Sequence, residues 1–273
     1  MRIVGSMTTI PERISKIKKV IQSILNQTRK LDLLYLNIPY ISKKGLKYKI
    51  PYYLQDKEYI KINRCEDYGP ITKLLPTLDV ETDPETYIIT FDDDRLVHKD
   101  VVKIIERKIK KYPDAVLSFS GWNVGFFPFY LQCLDNNIQD VEVDWVQGCH
   151  SITYPRKVIN KNKYLESFPE ISLLSKHDDH KLSAYLELQT VKKISINKDP
   201  EIYFKEVPCC FINAISGGNS IYKKIIYFTQ VQYIMIMFMI KGLYKRKVFI
   251  YNSRGFKVIL SLCVIIIFYH LIF

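Results

Sequence analysis

After Glu206 the chain has no aspartate or glutamate, while Lys223, Lys224, Lys241, Lys245, Arg246, Lys247, Arg254 and Lys257 all follow it. Those eight charges are two thirds of the net +12, so residues 1–206 carry only +4. The basicity sits among apolar runs, which suits an anionic membrane surface better than a nucleic-acid groove, and no nucleic-acid partner is expected. Cys65, Cys133, Cys149, Cys209, Cys210 and Cys263 form no CxxC pair and no Cys/His spacing of a metal site. Cys209 and Cys210 are adjacent, poor geometry for a mutual disulfide, so a reducing compartment is expected. Glycine is sparse: Gly5 stands alone near the N-terminus, without the Gly-rich phosphate loop that a nucleotidyltransferase wants there. The opening MRIVGSMTTIPERI lacks the apolar core of a signal peptide and predicts a β-strand instead. No internal repeat or low-complexity linker is present.

What is present is a folding core. Apolar residues make up 48% of the chain, which excludes wholesale disorder. Arg2–Met7 predicts a strand that ends in a Thr-Thr-Ile-Pro turn. Pro11 then opens a helix, and Ile14, Ile17, Ile21, Ile24 and Leu25 fall at helical spacing. Further strands are predicted at Leu33–Ile38, Ile60–Asn63, Tyr87–Phe91 and Ala115–Phe119, with a short helix through Leu78 and a longer one over Val101–Ile109. Strands alternating with helices imply an α/β fold with a mostly parallel, doubly wound sheet flanked by helices. Such sheets bind ligands outside the carboxyl ends of their strands. The Thr8-Thr9 turn, the loop around Asp67 and the run Asp92-Asp93-Asp94 all follow predicted strands, so three polar clusters should converge on one edge.

The acid triplet is the strongest chemical feature. Three consecutive carboxylates repel one another unless a cation or donor compensates. At a strand end they make a site for a hard cation, Mg²⁺ or Mn²⁺, carrying a diphosphate. The competing explanation is a solvated acidic turn or a cap for the helix that follows. His177-Asp178-Asp179-His180 precedes the helical pattern Leu182, Tyr185, Leu186. Its acids suit either N-terminal helix capping or general-base work on an acceptor hydroxyl. Thr8, Thr9, Pro11 and Arg13 offer hydroxyls, amides and a helix start to a nucleotide. Lys73, one turn beyond Gly69-Pro70, is within reach of a phosphate or an aspartate. Asp144–His150, with Trp145 and Gly148, is a candidate acceptor-side loop, although a lone tryptophan more often serves packing than sugar stacking.

Taken in order, Ser6–Arg13, Asp67–Lys73, Phe91–Asp94 and His177–Asp179 resemble the family 2-like glycosyltransferases of GT-A fold, over roughly residues 1–210. The resemblance implies a DxD motif with Asp92 and Asp94 in its two Asp positions. Asp92 or Asp93 would contact the nucleotide and Asp94 would ligate the metal. It makes Asp179 the inverting base, with Asp178 where the family has glutamate. Thr8 and Thr9 would meet the nucleobase and ribose, and Asp67 and Lys73 would close over nucleobase and phosphate. No Gln-x-x-Arg-Trp motif is present, which favours single-sugar transfer. A uridine diphosphate sugar is the donor implied, with a glycan, lipid or protein hydroxyl as acceptor.

The expected organisation is a catalytic domain over 1–218, divided into a nucleotide-sugar half (1–119) and an acceptor half (120–218), followed by a basic hydrophobic helical tail (219–273). Ile225–Ile240 is amphipathic, whereas Val258–Phe273 is almost wholly apolar. As a helix the latter would be about 24 Å long, against a hydrocarbon core of roughly 30 Å. A short anchor, an interfacial helix and a buried core element all fit that length. The lysines and arginines before it favour a membrane-associated protein whose catalytic domain faces the cytoplasm. Alongside the transferase, two other readings fit the same residues: a nucleotidyltransferase, and a non-enzymatic membrane-surface binding protein whose triplet is only a cap.

Overall fold

A computed structural model describes residues 1–207 except 56, 125–130, 134–138, 170–173, 175–176, 197–201 and 203, together with 234 and 237. The strands are β1 (Ile3–Thr8), β2 (Leu33–Pro39), β3 (Ile60–Cys65), β4 (Tyr87–Phe91), β5 (Arg95–Val97), β6 (Val116–Ser118), β7 (Gly121–Val124), β8 (Leu131–Cys133), β9 (Val141–Glu142), β10 (Trp145–Val146), β11 (Ile152–Pro155), β12 (Lys193–Ser195) and β13 (Phe204–Glu206). The helices are α1 (Lys18–Leu25), α2 (Leu75–Val80), α3 (Val101–Lys111), α4 (Lys161–Glu166) and α5 (Asp178–Leu188).

Eight strands form one sheet in the order β3-β2-β1-β4-β11-β6-β12-β9. The first four are mutually parallel, β11 runs antiparallel between β4 and β6, and β12 is parallel to β6. The sheet is buried on both faces, as its sequence requires. Successive residues of a strand point to opposite sides. Ile3, Met7, Ile89 and Phe91 join one core with Ile17, Ile21, Ile24, Val101 and Ile105. Val4, Ile88 and Tyr154 join the other with Leu74, Leu75, Leu182 and Leu186.

Strand order reverses at β1, with β2 on one side and β4 on the other. The crevice outside these two strand ends is where such a sheet takes a ligand. The segments after β1, β2, β3, β4 and β6 leave from this edge. Because β11 is antiparallel, its beginning, and the turn Gly148–His150 before it, lie at the same edge. The reversal also brings the start of α5 there, since α5 returns the chain to β12.

Two expectations are modified. The helix expected from Pro11 begins only at Lys18. Residues 11–17 form turns in which Ile14 N–H bonds to the Ile10 carbonyl at 3.1 Å and Lys16 N–H to the Arg13 carbonyl at 2.7 Å. The Tyr53 hydroxyl donates to the Ile14 carbonyl at 2.9 Å, occupying an acceptor that a continuous helix would use. The acid triplet does not cap the next helix, because β5 intervenes and Asp100 stands at the N-cap of α3. Among the described residues no helix is long and apolar enough to cross a membrane. The expected tail, 219–273, lies outside the described residues apart from 234 and 237.

Candidate active site

The residues after β1 and β4 fasten to each other. Asp93 is buried, and its two carboxylate oxygens accept from the Thr9 hydroxyl and from Arg13 Nη1, each at 2.6 Å. Arg13 Nη1 also lies 3.6 Å from Asp94. Thr9, Arg13 and Asp93 thus form a closed cluster that stiffens the turn, and these polar contacts are made within the protein rather than offered to a nucleotide. Burial raises the Asp93 carboxyl above the usual carboxylate range, with Arg13 and Thr9 opposing it. The Asp94 carboxyl is pushed up to about 6, first by burial and then by Asp92 and Asp93. Arg13 and Arg95 offset that repulsion only in part.

Lys73 ties the triplet to the acids of α5. Its ammonium is 3.0 Å from Asp92 and 3.4 Å from Asp178. Burial works to lower the Lys73 pKa, but Asp178, Asp92 and Asp179 outweigh it and hold the group protonated. The backbone of this lysine is fixed too, because the buried Ser6 hydroxyl donates to its carbonyl. Asn37 Nδ2 reaches the Ser6 hydroxyl at 3.1 Å and the Thr77 hydroxyl at 2.9 Å, and Asn63 reaches Asn37 at 2.9 Å. This polar ladder across β1, β2 and β3 was not apparent from sequence. Its only sign was polar residues inside otherwise apolar strands.

Asp178 and Asp179 occupy the first turn of α5, and His177 at the N-cap makes no side-chain capping bond. Asp179 instead reaches across to the turn before β11, accepting from the Gly148 N–H at 2.8 Å. Burial first, then Asp178, pushes its carboxyl up to about 7, while Lys73 and the Gly148 amide pull it back. Gly148 has no room for a side chain: a Cβ there would stand 2.9 Å from Asp179 Oδ1 and 2.9 Å from Lys73 Nζ. The same turn ends at Ser151, whose φ of 69° is unusual for a residue with a side chain.

The remaining expected residues fall nearby in other roles. The Thr8 hydroxyl donates to the Asn37 carbonyl at 2.8 Å, and Pro11 is half-buried at the head of the turn. Asp67 holds its own loop, accepting from the Gly69 N–H at 2.7 Å and the Lys43 N–H at 2.8 Å. Trp145 is buried, with its ring edge-on to His180 at 4.4 Å. It serves packing, and its ring offers no open face to a sugar. Trp122 is the half-exposed tryptophan, and its Nε1–H donates to Gln147 Oε1 at 2.9 Å beside Gly148.

No family model and no curated protein sequence matches this chain. Its structure, however, is similar to that of GalNAc-T7, solved with UDP, GalNAc and Mn²⁺, at a TM-score of 0.54 and 11% identity. The fold is GT-A-like. The likeness covers 72% of this chain and 42% of that one, so the chain spans less than half of GalNAc-T7's length. In this GT-A-like frame the acid triplet follows the central strand β4 at the point where strand order reverses. Among the described residues no three His, Cys, Asp or Glu side chains form a ready-made metal cage. The triplet still fits a divalent cation. Mg²⁺-type sites commonly take one or two protein carboxylates and complete their shell with substrate phosphates and water. Such an ion would relieve the mutual repulsion with Asp92 and Asp93 that, after burial, raises the Asp94 carboxyl.

Proposed function

We propose that this chain is a metal-dependent glycosyltransferase that moves a sugar, a hexose on our reading, from a nucleotide-sugar donor to a hydroxyl acceptor. The observation that carries the proposal is the convergence of Asp92, Asp94, Lys73, Asp178 and Asp179 at the crevice of a GT-A-like sheet. The nucleotide lies over the turn at Thr8–Arg13 and the loop at Asp67, and uridine diphosphate is the carrier we infer. Asp94 and Asp92 would hold a divalent cation, Mn²⁺ or Mg²⁺, which would supply positive charge to offset the negative charge developing on the leaving diphosphate.

Asp179 acts as the base. It takes the proton of the acceptor hydroxyl while that oxygen attacks the anomeric carbon. The bond from that carbon to the diphosphate breaks, and its electron pair leaves with the nucleotide. One displacement inverts the anomeric centre. The Gly148 N–H keeps one Asp179 oxygen oriented, and Lys73 offsets the mutual repulsion of Asp178 and Asp179. Asp178 supports the pair. The acceptor, a glycan, lipid or protein hydroxyl, approaches from the side of Gln147, Gly148 and Trp122. We place the enzyme at a membrane through residues 219–273, with its catalytic domain in the cytoplasm.

The test is a screen of nucleotide sugars for hydrolysis and transfer with Mn²⁺, with Mg²⁺ and with chelator. Release of nucleoside diphosphate from at least one donor, dependent on metal, is expected. Pyrophosphate release instead would indicate nucleotidyl transfer, and no turnover of any donor would leave a binding protein. A product that retains the donor's configuration would reject the single displacement.

A further inference from the structure

The chain between β2 and β3 collects exposed aromatic and basic side chains that the site does not use. Lys43, Lys44, Lys47, Lys49, Lys57 and Lys61 are all exposed. Against them stand Asp56 and Glu58, so residues 40–61 carry +4, the whole net charge of residues 1–206. Of the nine large hydrophobic residues exposed among the described ones, five fall here: Tyr40, Ile41, Leu46, Tyr52 and Tyr59. Tyr52 is 86% exposed. The segment is fixed from beneath. Leu54 is buried, Tyr53 donates to the Ile14 carbonyl, and Tyr48 donates to the Thr9 carbonyl at 3.0 Å. Inward residues anchor the loop while outward residues project tyrosine rings among lysines. The polar ends of tyrosines favour the headgroup level of a bilayer, and lysines are drawn to anionic headgroups.

We infer that the exposed side chains of the connection between β2 and β3 dock on an anionic membrane surface, independently of the tail and of the proposed activity. The loop leaves the sheet at the carboxyl end of β2 and is tied to the turn after β1, so docking sets the acid cluster beside the bilayer. A nucleic-acid surface is the weaker fit, because the lysines are interspersed with exposed aliphatic Ile41 and Leu46. Each lysine brought to an anionic surface favours binding by about fivefold.

The experiment is lysine acylation of the full chain, read by mass spectrometry, with phosphatidylcholine vesicles and with vesicles that also contain phosphatidylserine. Exposed Lys103 and Lys110 on α3 serve as references. The anionic vesicles should protect Lys43, Lys47 and Lys49 by about fivefold or more relative to the references. Replacing Tyr40, Tyr52 and Tyr59 together by Ser should abolish that protection while thermal unfolding stays as in the wild type. Loop lysines that stay as reactive as Lys103 and Lys110 on vesicle-bound protein overturn the inference. So does protection by single-stranded RNA equal to that by vesicles, or protection that persists in the Ser variant.

Discussion

At the residue scale, Asp179 carries opposite demands. A base must be ionised, yet its carboxyl is pushed up to about 7 by burial and by Asp178. Transfer should therefore rise with pH through about 7 and level off above it. The sign for stability is reversed. A folded-state pKa above the unfolded value near 4 means that the protonated acid favours folding. That contribution is complete below about 4 and is lost as pH rises through about 7. Asp179→Asn should thus lower transfer by ~10²-fold or more while keeping donor affinity. At pH 8 the same variant should melt above the wild type, at about 2–4 °C per kcal/mol for a chain of this size. Undiminished transfer, or a lowered melting point, would count against the assignment. Gly148→Ala tests the same acid from the other side. Its Cβ would sit 2.9 Å from both Asp179 Oδ1 and Lys73 Nζ, so one of them must move. If Asp179 is the one that yields, a misplacement of about 1 Å would cost about 10²-fold in turnover. Steady-state kinetics on a folded Gly148→Ala protein should find this loss mainly in kcat. Asp94→Asn should instead remove the stimulation by Mn²⁺ and leave metal-free donor binding, measured by calorimetry, little changed. Stimulation that survives in a folded variant would move the metal elsewhere.

At the element scale, runs with a strong local pattern were legible in the sequence, and pairings between distant segments were not. Tyr87–Phe91 and the start of α5 followed from apolar runs and helical spacing. The acids that end the one and begin the other were legible as polar breaks in those patterns. β11 was not anticipated, because four residues of ordinary composition carry no mark of strand direction. Yet its antiparallel insertion is what sets Gly148 against Asp179. The site's most restrictive geometry thus came from a long-range pairing. The helix predicted from Pro11 failed for a related reason: Tyr53 and Asp93, far along the chain, claim its first turn. In α5, His180 is buried edge-on to Trp145, and burial, with His177 next, lowers its pKa to about 3. Among the described residues its Nε2 has no hydrogen-bond partner. A folded pKa below the unfolded value of about 6.5 contributes stability above that pH. The contribution is lost as pH falls toward 3. His180→Phe keeps a ring against Trp145 and removes the titration. The difference in melting temperature, variant minus wild type, should grow as pH falls from 6.5 toward 3. A difference independent of pH would mean that His180 is not held neutral.

At the scale of the whole molecule, charge and hydrophobicity divide the chain unevenly. Residues 1–206 carry +4 over an α/β domain with a core on each face of its sheet, and the sequence beyond Glu206 carries +8 with no acid at all. The alternation of strand and helix made the α/β class legible, and the loops after parallel strands made the site edge legible. The tail was legible only as composition, since basic residues beside apolar runs fit an anchor, an interfacial helix or a core element equally. Ile234, in the first of the two apolar runs, is buried, which assigns at least that residue to packing. If the proposed membrane attachment holds, the second run, Val258–Phe273, is the better candidate for it, because it contains no charged residue. A helix of that length would be about 24 Å long, shorter than a hydrocarbon core of roughly 30 Å, so as an anchor it would have to lie in the interface, thin the bilayer or draw its flanking basic residues toward the headgroups. Deleting residues 258–273 should therefore release the protein from membranes in salt-free fractionation by about tenfold or more, given ~0.8 kcal/mol for each buried methylene. Donor hydrolysis should survive, because every acid of the candidate site and both apolar cores of the sheet precede the deletion. The residual binding should fall further as salt is raised, since the lysines of residues 40–61 would then carry a larger share of the attachment to anionic vesicles. A deleted protein that fractionates as the full chain does would place the anchor elsewhere, and one that loses both folding and hydrolysis would make Val258–Phe273 part of the core.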